Sequence, residues 1–172
     1  MQNPLTSLHE ASEAARRAIA AQAGATVLVG HSFSGMIVSE VGLDPKITAL
    51  VYVAARAPDA GEDYTALAKN YPTPPATAGI VFHDDWGQLS EKAFLHDFAG
   101  DLPPKEARVL YAVQRPFKKS LSTEKTTNAA WRTGRPSMPC PPKTGRSIPT
   151  WSASWPSGWA RRRSRSMRAT WR

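Results

Sequence analysis

Cysteine is almost missing from this chain: Cys140 is the only one in 172 residues. A single thiol excludes an internal disulfide, and with no clustered Cys or His ligands neither a metal nor another cofactor is expected. Long apolar runs are missing too, so no membrane span is expected. The opening Met1-Gln-Asn-Pro4 lacks the basic-then-apolar pattern of a secretion signal, which gives a cytoplasmic expectation. Histidine is limited to His9, His31, His83 and His96, with none later. Acidic residues run out as well: residues 131–172 hold ten Lys or Arg and no Asp or Glu. Residues 1–130 hold twelve basic and fourteen acidic residues, so the net charge of +8 averages two unlike compositions. Five of the six tryptophans also fall in the last 42 residues. The length suits one domain able to bury a core.

The most informative stretch that is present runs Thr26-Val-Leu-Val-Gly-His-Ser32-Phe-Ser-Gly35. Four strand-forming residues lead into Gly-His-Ser-Phe-Ser-Gly, and helical spacing follows. A strand that stops at glycine, turns on one serine and enters a helix has the pattern of a nucleophile elbow, which holds that serine strained and exposed. The turn needs little bulk on either side of Ser32, which suits Gly30 before it and Ser34 and Gly35 after it. The usual pattern is G-x-S-x-G; here Ser34 occupies the last place and Gly35 follows. The bland alternative is an ordinary strand-to-helix turn with a capping serine. What weighs against it is the context, an apolar strand before, a helix after, and then another apolar strand.

Ser7-Leu-His-Glu10 reads as a capping box that opens a helix, with Leu8, Ala11, Ala15, Ala18 and Ile19 on its apolar face and Gly24 beyond its end. Thr26–Val29 has the continuous apolar character of a strand at the buried centre of a parallel sheet. Ser34–Val41 is helical and Gly42-Leu-Asp-Pro45 stops it; Ile47–Ala54 is a second buried strand. This order predicts an α/β fold with a doubly wound, mostly parallel sheet, and ligands in such sheets bind beyond the strands' carboxyl ends, where Ser32 falls. Residues 55–130 are less regular. Arg56–Glu62 is a loop, Tyr71-Pro-Thr-Pro-Pro75 a stiff connector, and Glu91–Phe98 and Lys105–Gln114 short helices. By spacing alone this insertion is either a lid over an acyl pocket or further scaffold.

Gln2–Leu8, Val27–Gly35, Leu50–Ala55 and Ala57–Glu62 together resemble the small bacterial esterases of the α/β-hydrolase superfamily, a group similar to plant methylesterases and hydroxynitrile lyases. The resemblance covers roughly residues 2–132. It implies a partial α/β-hydrolase fold with a helical cap over about residues 62–120. It also implies Ser32 as catalytic nucleophile, the Phe33 amide as an oxyanion-hole donor, and a small-molecule ester as substrate. Gly30, His31, Ser34 and Gly35 complete the elbow.

Set against that family, two parts are missing. A serine hydroxyl needs a base to take its proton and an acid to orient that base, in the chain order Ser, Asp or Glu, His. No histidine follows residue 96. His31 adjoins the nucleophile but points elsewhere by strand alternation, while His83 and His96 lie in the cap. At the front, Met1 stands where a later strand should be ending, so the strand and loop that supply the second oxyanion donor are expected to be absent. Loss of one such donor costs about two to three orders of magnitude in rate. Unpaired sheet edges and low stability are expected to follow.

Residues 133–172 show neither helical nor strand periodicity and read as a disordered basic tail. One account makes Arg161-Arg-Arg-Ser-Arg165 and the interleaved tryptophans a non-specific grip on nucleic acid or an anionic surface. The genetic code offers a better one. In the frame that takes the third base of each codon with the first two of the next, Met138-Pro139 and Trp155-Pro156 each force alanine, and Trp159-Ala160 forces glycine. The choices between these anchors admit a strand, an acidic turn, an amphipathic helix, another strand and a terminal Ser-His-Leu. That order resembles the family's C-terminal third, with the triad acid straddling the codons of Lys143 and Thr144 and the histidine those of Ala169 and Thr170. The expectation is therefore an incomplete hydrolase domain over 1–132 and an out-of-frame tail over 133–172. The lineage is that of a serine ester hydrolase, this chain itself is inactive, and no specific nucleic-acid partner is expected.

Overall fold

The computed structural model of the protein describes residues 1–133 and 137–140. Its first layer is a parallel sheet of three strands in the order β1-β2-β6, with β1 at Thr26–His31, β2 at Ile47–Val53 and β6 at Ser137–Cys140. Helices α1 (Leu8–Ala20) and α2 (Ser34–Val41) cover one face of this sheet. The start of α1 follows from local chemistry. Ser7 caps α1 by accepting from the Glu10 amide at 3.1 Å. Only this half of the predicted capping box forms, because the Glu10 carboxylate takes the Thr6 hydroxyl instead.

The main core is built from the apolar stripe of α1 (Leu8, Ala11, Ala15, Ile19), the α2 residues Met36, Val38 and Val41, and Ile47, Leu50 and Tyr52 of β2. Arg16 and Arg17 stay exposed on the other face of α1. Ala130 and Trp131 return to the same core, and the Trp131 indole N–H donates to the Pro58 carbonyl at 3.0 Å. Tyr52 is buried and hydrogen-bonded to Ser39 of α2 at 3.0 Å. Burial pushes its phenol up to about 12, the Ser39 bond opposing part of that shift.

β1 departs from the buried central strand that its apolar run predicts. It sits at the sheet edge, with Leu28 packed on the core while Val27 and Val29 alternate outward, 52% and 64% exposed. Among the described residues β1 has one neighbour strand, and the helices lie on one face of it.

The insertion between β2 and the end of the body is not wholly helical, which corrects the expected cap. After α3 (Tyr64–Ala68), a hairpin of β3 (Ile80–His83) and β4 (Trp86–Leu89) forms, and β5 (Phe117–Lys118) adds antiparallel to β4. The connection is Asp84-Asp85, with Asp84 at φ +54, a left-handed conformation that Asp tolerates and a two-residue hairpin uses. The predicted helices do form nearby. α4 (Glu91–Ala93) continues as a π-turn over Phe94–Phe98, and α5 spans Pro104–Ala112. Phe94, Ala99 and Ala107 make a second small core with Leu89, Leu95 and Tyr111.

Ser137–Cys140 lies in the stretch expected to be irregular, yet it pairs with Leu50–Val53 of β2. The open edge of a largely buried strand selects a partner even from a segment without strand periodicity. The remainder of the predicted disordered tail lies outside the described residues.

Candidate active site

β1 ends at His31 and α2 begins at Ser34, so Ser32 and Phe33 make the whole connection. Ser32 takes φ +53, a left-handed conformation that costs an L-residue about 1–2 kcal/mol and persists only where surrounding bonds hold it. Three backbone bonds do so here. The Ser32 amide donates to Val53 at 3.4 Å, and its carbonyl accepts from Gly35 at 3.2 Å and from Arg56 at 3.0 Å. The bend is thus fastened to the end of β2, and Ser32 is left exposed above the sheet.

Two of the predicted small residues are required by contact distances. A Cβ on Gly30 would stand 2.7 Å from Val38 Cγ2 and 2.8 Å from the Ser34 carbonyl oxygen. On Gly35 it would stand 2.1 Å from the Arg56 carbonyl oxygen. Both glycines therefore let β1, α2 and the strand-end loop approach closely. Phe33 occupies the N-cap of α2 with helical angles, and among the described residues its amide has no acceptor. That N–H points out of the first turn of an eight-residue helix, where the helix dipole favours negative charge.

The histidines are scattered. His9 lies on α1, His31 on β1, His83 at the end of β3 and His96 in the π-turn, and all four are exposed. Among the described residues no hydrogen bond joins any imidazole to Ser32, and no three His, Cys, Asp or Glu side chains group as a metal site. No helix among them is long and apolar enough to cross a membrane. A groove of about 430 Å³ runs between the N-terminal segment, α1 and Arg115, and no elbow residue lines it.

Arg56, assigned only to a loop by its sequence context, is the charged group beside the elbow. Its guanidinium lies 4.0 Å from the centroid of the Tyr64 ring and 5.7 Å from that of Phe33, with Nη1 4.0 Å from Met36 Sδ. Burial pulls this guanidinium below its ordinary value, and the charge and hydrogen bond of Tyr64 oppose the shift. An arginine set within the small apolar run Ala54-Ala-Arg-Ala-Pro58 was the available signal. The next acid along, Asp59, is already paired with Arg132.

A sequence model of the alpha/beta hydrolase family matches residues 3–171. No curated protein matches the chain. Among solved structures, an extracellular alpha/beta-hydrolase from a Paenibacillus species is similar at 18% identity and a TM-score of 0.64, over 86% of this chain and 66% of that one. Polyneuridine aldehyde esterase is similar at 16% identity and a TM-score of 0.59, over 80% and 62%. A methylesterase from Arabidopsis is similar at 16% identity and 0.54, over 80% and 57%. At these identities the likeness is one of fold, and the chain spans less than two thirds of the length of each of these relatives. With the family's sequence pattern running from residue 3 to residue 171 and its fold shared with solved hydrolases, the chain belongs to the alpha/beta hydrolase family.

Proposed function

We propose that Ser32 is the acyl-accepting nucleophile of a carboxylic-ester hydrolase lineage, with the Phe33 amide as one donor to the oxyanion, and that this chain itself turns over esters negligibly. The observation that carries the reading is Ser32 at φ +53 between a parallel strand and a helix, exposed and pinned through its own backbone. Attack by Oγ on an ester carbonyl forms a C–O bond and moves negative charge onto the carbonyl oxygen. A free amide at the start of a helix suits that charge. Esterases among the proteins of like fold agree with this substrate class.

Inactivity is argued from proton transfer. The serine proton must go to a base, and positioned general bases contribute about 10²–10⁴-fold. None of the four histidines is bonded to Ser32 among the described residues, and residues 134–172 contain no His, Asp or Glu. We assign residues 1–132 to the hydrolase body, with its cap over about 62–120, and 133–172 to a shifted reading frame. The test is hydrolysis of p-nitrophenyl acetate by the purified chain and by Ser32→Ala. The expected result is equal, near-background rates, and turnover that Ser32→Ala abolishes would refute the inactivity.

A second reading rests on charge. Ten basic and no acidic residues in 131–172 form a segment able to hold polyanions without specificity. It predicts DNA binding that weakens steeply with salt and vanishes when 133–172 are removed. Binding indifferent to salt would dismiss it.

A further inference from the structure

We propose that Arg56 is a specificity-determining residue that receives a carboxylate on the substrate beside Ser32, so that the preferred ester is an anionic one such as a half-ester of a dicarboxylic acid. The proposal deepens the reading of Ser32 as nucleophile and rests on it.

Position is the first ground. The Arg56 amide is bonded to the Ser32 carbonyl, and its guanidinium lies over the ring of Phe33, the very next residue after Ser32. A group bound there lies against the residue that follows Ser32.

The second ground is an uncompensated charge. Among the described residues the ion pairs are Arg16–Glu13, Lys118–Asp85 and Arg132–Asp59, and none includes Arg56. The rest of the sequence offers no carboxylate side chain, since residues 134–172 hold no Asp or Glu. Surroundings of two aromatic rings and a thioether remove water from a partly buried guanidinium, and the Tyr64 hydroxyl that bonds it returns only part of what water supplied and no carboxylate. Such burial is costly unless an anion completes it.

Geometry supplies the third ground. Stacking on Tyr64 at 4.0 Å fixes the guanidinium plane through its face. The in-plane N–H groups that Tyr64 does not engage remain as donors, and a pair of them makes the fork that matches a carboxylate with two parallel bonds. Nη1 lies 4.0 Å from Sδ of the fully buried Met36, so a ligand would meet the guanidinium from its other edge. A lysine in the same place keeps the charge and loses the fork.

The test is equilibrium binding to the full chain, by titration calorimetry, of monomethyl succinate (one negative charge) and dimethyl succinate (none). Wild type is expected to bind the anion at least tenfold more tightly than the neutral diester. Arg56→Gln is expected to erase that preference, Arg56→Lys to keep part of it, and Ser32→Ala to keep all of it. Wild type without a preference for the anion, including no measurable binding of either ester, overturns the proposal without recourse to any variant. So does an Arg56→Gln chain with an unchanged near-ultraviolet spectrum and undiminished preference. Failure of Ser32 as nucleophile shows separately, as anion binding by the present chain that persists while Ser32 of a chain with the shifted frame restored is never phosphonylated.

Discussion

At the scale of single residues, Ser32 is a conflict between stability and chemistry. Its side chain gains exposure at the tip of the bend by accepting a backbone conformation that L-residues avoid. Glycine carries no such penalty, whereas alanine carries it in full. Ser32→Gly is therefore expected to melt higher than Ser32→Ala, by about 1 kcal/mol in denaturant titration. Equal stabilities would show that the left-handed bend is relaxed in solution. Gly35 is the opposite case, since the space its missing Cβ would fill belongs to the Arg56 carbonyl oxygen. With its carbonyl held close to α2, Arg56 extends its side chain across Phe33 and Tyr64.

At the scale of elements, burial decides which apolar residues matter. Leu50 is fully buried on β2 and Val29 is 64% exposed on β1, although both read as buried strand residues in sequence. Leu50→Ala is expected to cost about 2–5 kcal/mol, while Val29→Thr stays within about 0.5 kcal/mol. Denaturant midpoints of the two variants check the contrast.

Beside the buried Trp131–Pro58 bond, a second tie between the Ala57–Asp59 loop and the returning segment at Ala130–Arg132 is polar and exposed. Arg132 bonds the Asp59 carboxylate and holds it below the usual carboxylate range, and Arg132 is raised in turn. The folded-state value of Asp59 is thus the lower one. The pair stabilises above the unfolded carboxylate's pKa, and that contribution is lost as pH falls through the folded value. With side chains 49% and 40% exposed, its worth is below about 1 kcal/mol. Arg132→Gln is expected to lower stability slightly at pH 7 and to match wild type once Asp59 is protonated in both. A gap between the two that persists in acid would assign the effect to lost packing on Trp131 instead.

The legibility of the elements followed their periodicity. α2 lies at Ser34–Val41 as its spacing and the stop at Gly42 predicted, and β2 ends one residue short of the predicted Ala54. The cap strands were not legible, because Ile80–His83 and Trp86–Leu89 are four residues each, too short to show alternation, and β5 has only two. The Asp84-Asp85 turn was the one local cue. The edge position of β1 was hidden for another reason: an apolar run states what a strand can bury, and only its neighbours state what it does bury. Arg56 showed in sequence only as a charge within a small apolar run, because its ring partners Tyr64 and Phe33 lie eight and twenty-three positions away.

At the scale of the whole molecule, the chain joins a body of near-balanced charge to a strongly basic stretch. The elbow, its glycines and the unaccepted Phe33 amide sit in the body, and the proposed frame shift puts a base and its orienting acid in the alternative frame of the later codons. One measurement bears on the whole account. Insert a single base near the codons for Arg132–Gly134, express both forms, and follow labelling of Ser32 by a p-nitrophenyl phosphonate with mass spectrometry. The account predicts that the frame-restored chain is labelled at Ser32 at least about 10²-fold faster than the present one, the contribution of a positioned base. Equal labelling of the two chains, or labelling of the restored chain elsewhere than Ser32, would contradict it.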